Sequence, residues 1–197
     1  MEDTRRVEAF SDGVFAIAIT LLVLTFRDPQ RGESLHHALL HQWPSYIAYV
    51  VSFVTVGIMW VNHHTVMQQI GRVDRTFLLI TVVFLMFVAF VPFPTRMVAE
   101  FIRTDDGRAA ALFYGIAFTC TALSWASLWF YAALGNRLIS ADANSRTVSG
   151  ISRSFLPGTL LYGGATLVAF ASATASVVLF GVIALFYALE SAIFGRA

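Results

Sequence analysis

The sequence predicts an all-α integral membrane protein with six transmembrane helices, and three observations carry that prediction. Hydrophobic residues make up 57% of the chain and charged ones only 13%, against roughly half and roughly a quarter in a soluble domain. The apolar residues gather into six runs, each near the roughly 20 residues that a helix needs to cross a bilayer. Polar links, all but the last carrying arginine, separate the runs, and no strand-like alternation rises above this pattern to suggest a barrel.

The first run spans residues 7–26 and ends at Arg27-Asp28-Pro29. The second spans 44–67 behind an interfacial Trp43-Pro44, and the third spans 77–97. The fourth spans 109–134, the fifth 155–173 and the sixth 176–194, the last two forming a tight hairpin. Two prolines in Phe90-Val91-Pro92-Phe93-Pro94-Thr95 kink or stop the third helix, and a stop at the outer interface accounts for them. Trp125 and Trp129 are expected to face lipid or the interface. Gly158, Gly163, Gly164 and Ala165 suit close helix packing within the chain. Too few polar residues remain for a soluble domain, so residues 1–197 read as one six-helix unit. The polar link 135–154 is too short to fold alone.

Arginine placement sets the orientation. With the N-terminus inside, Arg5, Arg6, Arg72, Arg75, Arg137, Arg146, Arg153 and Arg196 are cytoplasmic, and Arg27, Arg31, Arg96, Arg103 and Arg108 are external. Eight against five favours both termini in the cytoplasm. The acidic start Met1-Glu2-Asp3 lacks the form of a signal peptide, so the first helix reads as a retained anchor. A net charge of +1 gives no reason to expect a nucleic-acid partner, and one cysteine, Cys120, allows no intrachain disulfide.

Asp12 is the unusual residue of the first helix, because an ionised carboxylate at the edge of a membrane needs a partner. At about 100° per residue, Ile17, Leu21 and Leu24 fall on one stripe and Asp12 points roughly 120–180° away from it. The second helix ends Trp60-Val61-Asn62-His63-His64, and topology brings that end to the depth of Asp12. A hydrogen bond from His63 or His64 would relieve the acid. A metal site is disfavoured because adjacent histidines diverge by about 100°. A catalytic Asp–His pair lacks a nucleophile. A structural polar network joining the two helices is the favoured reading. The chain has no phosphate loop, nucleophile elbow, CxxC or carbonyl filter motif. Past Glu8 at the mouth of the first run, acids within the apolar runs are limited to Asp12 and Glu190, fewer than ion-coupled transport usually employs.

Arg6-x3-Phe10-Ser11-Asp12, Trp60-x2-His63 and the Phe90 to Thr95 stretch together resemble the endosomal/lysosomal potassium channel family and its prokaryotic homologues. The resemblance covers the first half of the chain. It implies a single six-helix subunit that assembles as a homotetramer in a prokaryotic plasma membrane, with the first helices lining a central pore. Carried over by position, Ile17 forms the hydrophobic constriction, Leu21 and Leu24 form further rings, and Thr20 matches a threonine implicated in selectivity. Potassium is then the permeant ion, with no cofactor and no enzymatic activity. Arg6 is expected to bond a neighbouring helix or carbonyl, while His64 is an addition to the pattern. The rival readings are a proton-coupled transporter using Asp12 and His63, and a membrane enzyme with an Asp/His site.

Overall fold

A chain with long uncharged aliphatic runs can satisfy its backbone within a bilayer only by bonding to itself. The computed structural model, which describes residues 4–29 and 31–194, is accordingly helical in almost every run. Helix α1 (Thr4–Leu21) tightens into a 3-10 turn over Leu22–Thr25, and the short α2 (Leu35–His41) leads into α3 (Trp43–Met67). Next come α4 (Arg75–Phe90), α5 (Pro92–Phe101) and α6 (Gly107–Ala133), then α7 (Ser145–Val168) and α8 (Ala173–Phe194). Four spans, Thr4–Thr25, Trp43–Met67, Arg75–Phe101 and Gly107–Asn136, are long and apolar enough to cross a membrane, and Ala173–Leu189 is a shorter apolar helix.

The two ends of the bundle are distinct. Links α3–α4 and α6–α7 meet through a single bridge between Ile70 and Ile139, and the Arg72 guanidinium donates to the Arg137 carbonyl at 2.7 Å. At this end Asp74 caps α4, accepting from the Phe77 amide at 2.8 Å and from the Tyr131 hydroxyl at 2.8 Å. The Phe77 amide bond is the main reason that its carboxyl is held below the usual range, with the Tyr131 hydroxyl and nearby Arg137 adding to it. At the other end the Arg103 guanidinium lies 5.9 Å from the centre of the Trp43 ring. Alternation along the chain puts both links on the same side, as the sequence requires.

Three expectations need correction. The proline pair does not stop the third helix, because α5 continues it to Phe101 after a break at Val91. Pro92 and Pro94 lack amide hydrogens, and the Val91 amide falls back on the Val88 carbonyl at 3.2 Å. Thr95 then repairs the bend. Its hydroxyl donates to the Val91 carbonyl at 2.8 Å and lies 2.9 Å from the Ser52 hydroxyl, which is itself 3.1 Å from that of Tyr114. This buried trio ties α3, α5 and α6 together. The 135–154 link is also shorter than expected, since Asn144 caps α7 by accepting from the Arg146 amide at 2.9 Å. Val148 and Ile151 anchor the early turns of α7 against the core. Trp129, finally, is fully buried and donates to the Ser152 hydroxyl at 2.9 Å. Trp125 packs against Phe84 in a tilted pair, with ring centres 5.0 Å apart. Both tryptophans therefore face the interior, drawn there by aromatic partners that their own periodicity does not reveal. The side chain of Glu190, and Arg196, lie outside the described residues.

Small residues do bring helices together, though not all of the expected ones. Ala165 and Ala169 are buried, whereas Gly163 and Gly164 meet nothing within 4 Å of where a Cβ would stand. The tight contact is at Gly115 on α6, where a Cβ would lie 2.6 Å from Thr166 Oγ1 and 2.9 Å from its Cγ2. Thr166 cannot swing away easily, because its hydroxyl donates to the Tyr162 carbonyl at 2.8 Å and lies 2.9 Å from that of Thr119. Gly115→Ala is therefore expected to cost about 1–3 kcal/mol of stability by overpacking, read as a lower melting temperature in detergent. Gly163→Ala serves as the unaffected control.

Candidate functional site

Helix α1 presents one covered and one open face. Val7, Ser11, Phe15, Ala18, Leu22 and Thr25 are buried at spacings of three and four, the period of a single helical stripe. Opposite them, Phe10, Ile17 and Leu24 are each 60% exposed and Leu21 41% exposed. Arg6 and Thr20 are exposed on this same face. The 3-10 turn after Leu21 matters here, because its residues i and i+3 eclipse and so Leu21 and Leu24 line up. The Thr20 hydroxyl donates to the Ile17 carbonyl at 2.9 Å, so it is satisfied within its own helix.

What fixes the rotation of α1 is a polar seam with the antiparallel α3. Trp60 Nε1 donates to Asp12 Oδ1 at 2.8 Å. One turn away on both helices, His64 Nδ1 lies 2.6 Å from Glu8 Oε1. Gln68 Nε2 lies 3.0 Å from the other ring nitrogen of His64. The arrangement that meets both contacts with the Gln68 amide as donor carries the His64 proton on Nδ1, so that His64 donates to Glu8. Ser11 does not join the seam, and its hydroxyl donates back to the Val7 carbonyl at 2.9 Å.

The expected bond from Asp12 to His63 or His64 is not formed. Trp60 sits one helical turn before His64 and reaches Asp12 directly, which leaves His64 opposite Glu8. His63, displaced by about 100°, turns into the core instead. It is fully buried and neither ring nitrogen has a hydrogen-bond partner among the described residues. Its ring packs 5.6 Å from Phe15, 5.7 Å from Trp125 and 6.2 Å from Phe84, centre to centre. A relay from Asp12 to His63 thus lacks its connecting bond. Arg6, expected to bond a neighbouring helix or carbonyl, has no such partner among the described residues. No cluster of three or more metal-ligating side chains is found among them either.

Glu8 and Gln68 are the residues that sequence reasoning missed. Their signal lay in the spacing, since Glu8 precedes Asp12 by four as His64 follows Trp60 by four. Two rungs of an antiparallel ladder share that offset.

These features fall in a matched region. The family model described as "Endosomal/lysosomal potassium channel TMEM175" matches residues 6–92, from the signature arginine to the first proline of the third helix. A potassium channel of Streptomyces collinus is 43% identical over 190 residues, covering 95% of this chain and 92% of that protein. The chain belongs to the TMEM175 family. The crystal structure of a lysosomal potassium-selective channel TMEM175 homologue from Chamaesiphon minutus superimposes with a TM-score of 0.87 at 40% identity. That match covers 95% of this chain and 97% of the other. The endosomal/lysosomal proton channel TMEM175 of Gallus gallus is 34% identical over 137 residues, which are 64% of this chain but 26% of that longer protein. Membership in TMEM175 accounts for the all-helical fold of a membrane-spanning channel family and removes the enzyme reading.

Trp60 in the seam and His63 in the core beside it make separable demands on stability. Trp60→Phe keeps a ring but leaves the Asp12 carboxylate without its donor, and is expected to cost about 1–2 kcal/mol. His63→Phe removes two unpartnered nitrogens from an aromatic pocket and is expected to leave stability equal or higher. Paired thermal melts in detergent read both effects.

Proposed function

We propose that the chain is a potassium-permeable channel with a hydrophobic constriction formed by α1 and no carbonyl selectivity filter. The observation that carries this reading is the open face of α1, left uncovered by its own subunit directly opposite the Asp12–Trp60 bond. Exposed leucines on α4 or α8 need only lipid. The α1 face differs, because it also bears Arg6, and a charged group in a membrane seeks protein or water rather than lipid. A homotetramer with this face at its axis gives Arg6 a neighbour and stacks Ile17, Leu21 and Leu24 into apolar rings. Such a neck opposes hydrated ions by dewetting. Potassium sheds water more readily than sodium, and Thr20 hydroxyls or nearby carbonyls offer it partial replacement.

In this reading one subunit, residues 1–197, crosses a prokaryotic plasma membrane six times with both termini in the cytoplasm. The arginine excess favours that orientation, and the meeting of the α3–α4 and α6–α7 links at one end fits the alternation of spans. The names of close bacterial relatives support potassium as the permeant ion. The proton-coupled alternative through Asp12 and His63 is weakened by the engagement of Asp12 with Trp60.

Ile17→Asn is expected to wet the constriction. Reconstituted into bilayers under opposed potassium and sodium, it should move the reversal potential toward zero relative to wild type. An unchanged current and reversal potential would remove Ile17 from the pore. Saturable flux coupled to a pH gradient in the wild type would instead support the transporter.

A further inference from the structure

We propose that His37 and His41 on α2 form a two-imidazole binding site for a late first-row divalent metal ion, with Cu2+ and Ni2+ favoured over Zn2+ and water completing the coordination. The site lies away from the α1–α3 seam and does not depend on the conduction reading. Helix α2 runs Leu35–His41, so its two histidines four apart stand one above the other on one face. Their ring centres are 4.0 Å apart with planes inclined by 47°. Both side chains are exposed, so an ion can enter without rearranging the core.

Simple geometry tests the fit. An ion about 2.1 Å from a ring nitrogen stands about 3.2 Å from that ring's centre. Centres 4.0 Å apart then subtend about 77° at the ion, close to the ~90° between neighbouring ligands of a tetragonal site. The wider tetrahedral angle preferred by zinc would need the centres about 5.2 Å apart. The order of affinities for nitrogen ligands points the same way, with copper at its peak. Hard ions such as Mg2+ prefer oxygen and are excluded.

The platform is held in place. Gln42, immediately after His41, clasps both polar backbone groups of Arg27, accepting from its amide and donating to its carbonyl at 2.9 Å each. The Tyr46 hydroxyl donates to the Leu39 carbonyl at 3.1 Å, and Ala38 is buried beneath the helix. Two ligands on a fixed turn lose little freedom on binding. Glu33, one turn before His37, is engaged by Arg27 at 3.6 Å, which leaves the imidazoles as the donor set. His36 diverges from His37 by about 100° and supplies an internal control.

The test is calorimetric titration of NiCl2 into the tag-free full chain in detergent, with MgCl2 as a blank. Wild type and His36→Ala are expected to bind one Ni2+ per chain saturably. His37→Ala, His41→Ala and the milder His41→Gln are each expected to lose that site while keeping the wild-type circular dichroism. Saturable binding that survives in a His37→Ala/His41→Ala double variant would overturn the assignment, as would its absence from wild type.

Discussion

The hydrogen bond from Trp60 to Asp12 decides which side of the first helix is free. A carboxylate within a membrane segment must be satisfied, and the indole N–H of Trp60 at 2.8 Å does so from a residue that α3 brings alongside. With Asp12 held against α3, the rest of α1 has no rotational choice. Phe15, Ala18 and Leu22 turn into the subunit, and Ile17, Leu21 and Leu24 turn out of it. The Glu8–His64 contact one turn along repeats the same instruction, so the helix is fixed at two rungs against both rotation and sliding.

Around this seam the subunit is assembled from aromatic rather than ionic contacts. Phe15, Phe84 and Trp125 enclose His63, and the Ser52–Thr95–Tyr114 trio secures the bend beside them. Polar groups in the interior are mostly hydroxyls that bond back to their own helix, which lets small residues such as Gly115 bring backbones close. The exceptions among the described residues are Thr25, whose hydroxyl has no hydrogen-bond partner, and His63. The two nitrogens of His63 are buried without partners among the described residues, and ring packing holds it where hydrogen bonding does not.

Much of the fold was legible in the sequence because membrane helices announce themselves by length and hydropathy alone. Bounds for α3 and α6 fell within about two residues of expectation, since Trp43 and Asp106 mark sharp changes of polarity. The polar early turns of α7 were not legible, because Val148 and Ile151 pack there through contacts with residues distant in sequence. In the candidate site, the helical wheel separated Asp12 from the Ile17 face correctly. The identity of the acid's partner was lost to a single turn of helix register, since Trp60, His63 and His64 were all within reach by topology. Glu8 was overlooked because it stands at an unspecified position of the signature and belongs to a pair visible only when α1 and α3 are set antiparallel. Trp125 and Trp129 misled because aromatic residues near a helix end satisfy a membrane interface and a packed core equally well.

The claim on which the rest depends is that the open face of α1 meets water in the assembled protein. Single cysteines introduced along α1 in a Cys120→Ser background test it, with a charged water-soluble thiol reagent applied during current recording. The account predicts that cysteines replacing Ile17, Leu21 and Leu24 are modified and change the current, while those replacing Phe15, Ala18 and Leu22 are not. Modification confined to the second set, or without helical periodicity, would contradict it.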